Sequence, residues 1–220
     1  MRKIATAALL SLALTAYAHA DSKPVPPAST AQVPAGAYTL DLSHASLLFK
    51  VNHLGFSNYT ARFKRMDAKL QFDPANLAAT SLTATVDARS LETDFPDPAK
   101  IDFNAKLQDE TWLDTAKYPA ITFRSTSVEQ TGPKTMSMKG DLTLHGVTKP
   151  IALQGTYNSG YAGHPMDPHA RIGFSAQGKL KRSEFGVSYG IPAPGTTMGV
   201  GDEVTVIIEA EFSGPPLATK

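Results

Sequence analysis

The stretch RMDAKLQF at residues 65–72 alternates apolar and polar side chains without a break. Met66, Ala68, Leu70 and Phe72 take every second position, and charged or amide side chains take the positions between them. Successive side chains of a β-strand point to opposite faces, so this pattern predicts a strand with one apolar and one solvated face. A helix would instead need apolar positions three and four residues apart.

The same alternation recurs along the chain and predicts eight strands, separated by residues typical of tight turns. The strands should therefore pair antiparallel with their neighbours, which predicts an all-β fold. The predicted turns are Asp73-Pro74, Gly132-Pro133, His145-Gly146 and Asn158-Ser159-Gly160. The apolar faces of the other seven strands are Leu47, Phe49, Val51 and His53; Leu82, Ala84, Val86 and Ala88; Ile121 and Phe123; Met136, Met138, Gly140, Leu142 and Leu144; Ile151, Leu153, Gly155 and Tyr157; Ile172, Phe174, Ala176, Gly178 and Leu180; and Val204, Val206, Ile208, Ala210 and Phe212.

One segment, residues 98–108, interrupts the pattern. Its apolar residues also alternate, but it begins at Pro98 and lies beside several aspartates, which favours a short helix or loop insertion over a ninth strand. Phe103 and the following Trp112 are candidate contacts of a lid.

Eight strands with one apolar face form either a sandwich or a barrel. A barrel removes exposed sheet edges, and at eight strands its interior is filled by side chains or holds one small ligand. Small residues such as Ala84, Gly140 and Gly178 lie on the predicted inner face. They either leave room for a ligand or fit the taper and bends of the barrel, and both interpretations stay open.

The two ends of the chain differ from its middle. Arg2, Lys3 and the apolar run that follows predict an export signal over residues 1–20, and its removal leaves 19 Lys and Arg against 20 Asp and Glu. A near-neutral chain has no field that would recruit nucleic acid. Residues 21–37 and 214–220 are rich in proline and predict a flexible linker and a disordered tail. The chain has no cysteine, so an apolar core must hold the fold without disulfides.

An ordered set of motifs resembles the YceI-like family of polyisoprenoid-binding, lipocalin-like proteins over residues 38–212. Any one of these motifs is weak evidence, but their shared order is specific. The motifs are Tyr38-Thr39-Leu40-Asp41 through Ser43-His44-Ala45-Ser46, Phe72-Asp73-Pro74, Tyr118-Pro119, Thr122-Phe123-Arg124-Ser125-Thr126, Gly140-Asp141-Leu142-Thr143-Leu144-His145-Gly146-Val147-Thr148-Lys149-Pro150, Arg182-Ser183-Glu184-Phe185-Gly186 and Gly201-Asp202-Glu203-Val204.

The resemblance implies a single eight-stranded antiparallel barrel over residues 38–213 that is periplasmic or secreted. It implies a bound isoprenoid lipid or isoprenoid quinone as the partner and no cofactor beyond that ligand. Transient membrane contact and a homodimer are further expectations. Candidate lipid-binding residues are Phe49, Val51, His53, Phe72, Val86, Phe103, Trp112, Phe123, Met138, Leu142, Phe174 and Val206.

Two candidate polar residues, His53 and Arg182, have competing interpretations. His53 is interpreted as a buried histidine paired within the protein, with a hydrogen bond to a quinone carbonyl as the alternative. Arg182 suits a salt bridge, or hydrogen bonds that close the barrel, at least as well as ligand contact.

Three other classes of protein are alternatives to a lipid-binding barrel. An enzyme is disfavoured because no common catalytic motif occurs, although His164, Asp167 and His169 form a weak metal-binding pattern in the 159–169 loop. An outer-membrane barrel would turn its apolar face outward. A barrel without lipid that serves as a structural module or binds a protein partner is the third alternative.

Overall fold

The computed structural model describes residues 33–163 and 165–217. The predicted export signal at 1–20, most of the predicted linker at 21–37, His164 and residues 218–220 lie outside the described residues. The assignments of export signal and periplasmic location therefore stay predictions.

Within the described residues the chain forms ten strands and one short helix. The elements are β1 Gly36–His53, β2 Ser57–Phe63, β3 Met66–Phe72, β4 Ser81–Asp87, β5 Leu91–Glu92, α1 Phe103–Gln108, β6 Ala120–Gln130, β7 Thr135–Leu144, β8 Val147–Tyr161, β9 His169–Lys181 and β10 Val200–Pro216. Short 3₁₀ turns at Leu77–Ala79, Ala88–Ser90 and Arg182–Phe185 lie between strands.

Eight of these strands close into one antiparallel barrel. Their order around it is β1-β3-β4-β6-β7-β8-β9-β10, and β10 pairs again with β1 to complete the circle. In that closing pair Phe49 lies opposite Val206 and Leu40 lies opposite Phe212. These are the eight strands predicted from the alternation, so the predicted barrel is confirmed and the sandwich is excluded.

The sequence prediction missed β2 and the two-residue β5. β2 pairs with the second half of β1, with Leu47 opposite Phe63, whereas β3 pairs with the first four residues of β1. β2 and β3 therefore act as two halves of one bent strand. Ser90 supports the bend, because its carbonyl accepts from Lys64 N at 3.0 Å and its hydroxyl accepts from Arg65 N at 2.9 Å.

An aromatic cluster closes the end of the barrel where β1 begins. Tyr38, Phe72 and Tyr157 are each at most 2% exposed. The Phe174 ring lies 6.0 Å from Phe72 and 5.7 Å from Tyr157, and these edge-to-face contacts are typical of stable aromatic packing. Tyr38 donates from its hydroxyl to the Pro34 carbonyl at 2.7 Å. Burial, with Tyr157 as a second cause, raises the pKa of Tyr38 to about 12. Packed side chains thus block this end.

The barrel is apolar inside and polar outside. Along β3, Ala68, Leu70 and Phe72 are buried, whereas Lys69 and Gln71 are exposed. This orientation is the reverse of the one in an outer-membrane barrel, whose apolar side chains face lipid.

None of the helices in the described part of the chain is both long enough and apolar enough to cross a membrane.

The structure differs from the sequence prediction at one turn, at both chain ends of the barrel and at the start of the helix. The proposed turn at Asn158-Ser159-Gly160 is wrong, because these residues lie inside β8 at a break in its register with β9. β1 already begins at Gly36, and β10 continues to Pro216, so strand pairing extends into the predicted linker and tail. The inserted helix is confirmed but is only six residues long. It starts at Phe103 rather than near Pro98, because Asp102 caps it by accepting from Ala105 N at 2.8 Å.

Candidate functional site

The barrel encloses a cavity of about 550 Å³ that is lined almost entirely by apolar side chains. This volume lies within the roughly 300–1,000 Å³ typical of small-molecule sites. The wall takes side chains from all eight barrel strands, from β2 and from the inserted segment around α1. Because the lining is one continuous apolar surface, it can hold an apolar molecule without leaving polar groups of the protein unpaired.

All twelve residues predicted from the sequence to contact a ligand line this cavity: Phe49, Val51, His53, Phe72, Val86, Phe103, Trp112, Phe123, Met138, Leu142, Phe174 and Val206. Ten of them lie together because the period-two alternation turns one face of each strand to the interior, and Phe103 and Trp112 reach the cavity from the inserted segment. Their contact with a ligand stays a prediction.

Small residues keep part of the interior open. Ala68, Ala84 and Ala176 line the cavity. Gly140 has a different role, because a Cβ there would lie 2.3 Å from Phe123 Cζ and 2.6 Å from the Arg124 carbonyl oxygen. Some small residues therefore leave room in the cavity, whereas Gly140 makes room for the Phe123 ring within the barrel wall.

The inserted segment covers the end of the barrel opposite the aromatic cluster. The Phe103 ring lies 5.8 Å from Tyr59 of β2 and 5.4 Å from Phe95. Asn104 fixes the helix to the chain after β5: its Oδ1 accepts from Thr93 N at 2.9 Å, and its Nδ2 donates to Glu92 Oε1 at 3.1 Å. The bond from Asn104 is the main cause that lowers the pKa of Glu92. The segment is thus held as a lid by specific bonds.

Trp112 connects the lid to the loop between β9 and β10. Its ring lies 5.2 Å from the Tyr189 ring and 5.4 Å from the Arg182 guanidinium. The indole N–H is buried and has no hydrogen-bond acceptor among the described residues. Trp112 therefore holds its place by ring and cation–π contacts.

Arg182 closes the loop by hydrogen bonds to backbone carbonyls, as one interpretation of its motif predicted. It is 5% exposed, and it donates to Val187 O at 2.9 Å, Val200 O at 2.8 Å and Gly201 O at 2.9 Å. Burial lowers the pKa of its guanidinium, and the nearby charge of Asp202 opposes that effect. Because all three bonds are made within the protein, Arg182 fixes the loop between β9 and β10 beside the cavity.

The prediction of a buried, internally paired His53 is wrong. His53 lines the cavity, but its side chain is exposed at the end of β1. Because β1 ends there at the barrel rim, an inward-facing side chain can still reach solvent. The exposed His53 shows that the cavity reaches the surface at this end, which we call the mouth.

The weak metal pattern in the 159–169 loop gains no support from its described members. Asp167 Oδ2 accepts from Tyr161 OH at 2.6 Å and from Arg171 Nε at 2.5 Å, and these bonds lower its pKa to about 2. His169 is exposed at the start of β9, and His164 lies outside the described residues. The carboxylate is already paired with a guanidinium, which supplies the positive charge a cation would bring.

A second acidic group lies on the outside of the barrel, and sequence reasoning missed it. Ligand atoms of Asp41, His44 and Glu211 lie within 4.8 Å of one another. Arg171 Nη1 donates to Asp41 Oδ2 at 2.6 Å, and His44 Nδ1 lies 3.0 Å from the same oxygen. The bond from Arg171 is the main cause that lowers the pKa of Asp41 well below its usual range. This group is an ion-pair network that fastens the bulge in β1 to β9.

Comparisons with known proteins show which family shares this sequence and this fold. The model of the YceI-like domain family matches residues 38–212. A UPF0312 protein from Vibrio cholerae is 39% identical over 157 residues, which cover 70% of this chain and 78% of that protein.

Two solved structures share the fold. BcnA from Burkholderia cenocepacia has a TM-score of 0.66 and 24% identity, covering 78% of this chain and 98% of that one. A polyisoprenoid binding domain from Saccharophagus degradans, implicated in plant cell wall breakdown, has a TM-score of 0.59 and 16% identity, covering 81% of this chain and 98% of that one. The family match spans nearly the whole barrel, and so the chain belongs to the YceI-like family.

Proposed function

We propose that this protein binds a long apolar isoprenoid lipid, a polyisoprenoid or an isoprenoid quinone, inside its barrel and carries or stores it in the periplasm. The observation that carries the proposal is the apolar cavity of about 550 Å³, closed at one end by aromatic packing and open at the mouth beside His53. An elongated guest would enter at the mouth with its tail toward Phe72 and Phe174.

The energetics suit such a guest. An isoprenoid tail has almost no hydrogen-bonding groups, so its affinity must come from apolar surface removed from water, at roughly 25 cal/mol per Å². Burial of about 400 Å² of tail would contribute on the order of 10 kcal/mol before the costs of association and ordering. A charged or strongly polar guest would lose its hydration in this lining and gain few bonds in return.

The head group of the guest would lie at the mouth. His53 is exposed there and lines the cavity, so an imidazole nitrogen is available to bond a quinone carbonyl. Arg182 also lines the cavity, but its bonds to three carbonyls commit it to the loop. We therefore assign His53 as the candidate contact for a polar head.

Two further considerations support binding over catalysis. The Saccharophagus degradans domain that shares this fold is described as polyisoprenoid-binding. Most of the cavity wall is made of side chains such as Met138, Leu142 and Val206, which have no acid, base or nucleophile to offer. We infer that the barrel is a binding site with no reaction of its own.

Organic extraction of natively purified protein, followed by mass spectrometry, tests the proposal. The expected result is an isoprenoid lipid in near-stoichiometric amount, absent from protein that was unfolded, washed with solvent and refolded. A refolded barrel incubated with a polyprenol or an isoprenoid quinone should take up one molecule. Protein that yields no lipid and takes up neither compound would contradict the proposal and favour a barrel that binds a protein partner.

A further inference from the structure

Two neighbouring loops at the mouth contain no charged residue. The first surrounds the turn between β1 and β2, where residues 51–61 include no Asp, Glu, Lys or Arg. The second joins β9 to β10, where residues 185–201 also include none. The two loops together therefore present an uncharged surface at the opening of the cavity.

Backbone bonds hold the two loops together. Leu54 N donates to Gly199 O at 2.9 Å, and Val200 N donates to Gly190 O at 2.7 Å. The turn itself is tight: Leu54 and Gly55 both have positive φ, and Phe56 N donates to His53 O at 2.9 Å. The tips of the two loops therefore form one surface with a fixed arrangement, which we call the mouth surface (residues 54–56 and 188–199).

Large apolar side chains project from the mouth surface into solvent. Phe56 is 84% exposed and Met198 is 75% exposed, and Tyr189, whose ring contacts Trp112 on one side, is still 56% exposed. A single exposed apolar residue is ordinary, but three on one uncharged surface at the opening of an apolar cavity indicate a contact site. Phe and Tyr are side chains that enter the interfacial region of a bilayer readily.

The charge on the other side of the mouth favours one kind of membrane. The lid segment, residues 94–114, contains six Asp and Glu against two Lys. Anionic headgroups would repel this segment, so the contact must rest on apolar insertion of the mouth surface into a zwitterionic bilayer. The acidic lid would then stay in water, which orients the barrel with His53 and the opening toward the lipid.

We propose that the mouth surface inserts into the outer part of a zwitterionic bilayer leaflet, so that the apolar ligand passes between membrane and cavity without crossing water. The passage of a ligand between membrane and cavity rests on the proposed function. The contact with the bilayer is a separate property that vesicles alone can test.

Sedimentation with phosphatidylcholine vesicles measures that contact directly. The double variant Phe56→Ser/Met198→Ser should lower the bound fraction by roughly tenfold, because it removes both protruding side chains. Met166→Ser is the matched control: Met166 is 92% exposed in the loop between β8 and β9, at the closed end. Its bound fraction should equal that of the unsubstituted protein. Equal binding of the double variant, or binding only after phosphatidylglycerol is added, would overturn the proposal.

A second measurement separates this inference from the proposed function. Uptake of a polyprenol is followed from vesicles and, in parallel, from an ethanol dispersion without membrane. The double variant should take up the lipid slowly from vesicles and normally from the dispersion. Failure of the unsubstituted protein to load from either source would contradict the proposed function, while the sedimentation result would still decide the membrane contact. A dimer that dissociates on Phe56→Ser would overturn the inference, because a second copy would then occupy the surface.

Discussion

The guanidinium of Arg182 lies 5.4 Å from the ring of Trp112, and this contact joins the loop between β9 and β10 to the lid. Arg182 also donates to the carbonyls of Val187, Val200 and Gly201, which belong to that loop and to the start of β10. One side chain therefore organises two of the segments that surround the mouth. The arrangement of the segments around the opening therefore depends on this buried guanidinium, even if no ligand contacts it.

Replacing Arg182 should destabilise the protein substantially. Arg182→Met leaves one buried and two part-buried carbonyls without their donor, so we expect the free energy of unfolding to fall by about 2–4 kcal/mol. Urea unfolding followed by circular dichroism measures the change. Lys181→Met is the control, because Lys181 is the exposed neighbour and its replacement should stay within about 0.5 kcal/mol. Equal losses in the two variants would show that the carbonyl bonds contribute little.

Gly140 should not tolerate even one added methyl group. A Cβ there would lie 2.6 Å from the Arg124 carbonyl oxygen, which the sheet holds in place, so Gly140→Ala should cost about 1–3 kcal/mol. Gly173→Ala is the control in β9, where the nearest atom would lie at 3.9 Å. Its effect should be neutral or a gain of up to about 1 kcal/mol, because glycine weakens strands. Thermal unfolding that ranks the two variants in the reverse order would contradict this account of the packing.

The ion pairs of Arg171 should make stability depend on acid pH. The Tyr161 hydroxyl, together with Arg171, lowers the pKa of Asp167 to about 2, and the bond from Arg171 holds the pKa of Asp41 well below its usual range. A carboxyl with a lowered folded-state pKa adds stability that is complete above its unfolded pKa of about 4 and is lost as pH falls through the folded value. Stability should therefore decline from about pH 4 toward pH 2. Arg171→Gln should be less stable at neutral pH and should lose less over that window, and parallel curves for the two proteins would rule out the pairing as the cause.

Filling the cavity should block lipid loading while the fold survives. Met138 lines the cavity from β7, and its neighbour Lys139 faces outward. Met138→Trp should reduce the lipid recovered by organic extraction several-fold, because the larger ring occupies volume that the tail needs. Lys139→Trp adds the same ring outside and should leave loading unchanged. Circular dichroism must show folded barrels in both cases. Unchanged loading in Met138→Trp would mean that this part of the cavity holds no tail.

The eight barrel strands were predictable because alternation with period two is a local property of the chain. The same rule placed ten of the twelve candidate residues at the cavity, since it identifies the inward face of each strand, whereas Phe103 and Trp112 were proposed as contacts of the inserted segment. It could also have found β2, where Tyr59, Ala61 and Phe63 alternate with polar residues, but only three inward residues form that pattern. The turn assigned to Asn158-Ser159-Gly160 failed because glycine and asparagine suit a strand irregularity as well as a turn.

Features that depend on distant partners had no local signal. Asp41 and Arg171 are 130 residues apart in the sequence, and only closure of the barrel brings their charges together. The exposure of His53 likewise depends on where the loops around the mouth end. The uncharged composition of residues 185–201 was visible, but its position beside the turn of β1 and β2 was not. The structure was therefore needed to locate the mouth and its exposed apolar side chains.

Native mass spectrometry of the gently purified protein weighs the intact complex of chain and guest, and so it measures lipid occupancy without extraction. We expect a species heavier than the chain by one isoprenoid lipid, and a marked loss of that species in Met138→Trp but not in Lys139→Trp. A spectrum with the mass of the chain alone, unchanged after incubation with a polyprenol or an isoprenoid quinone, would contradict the claim that the barrel holds a lipid.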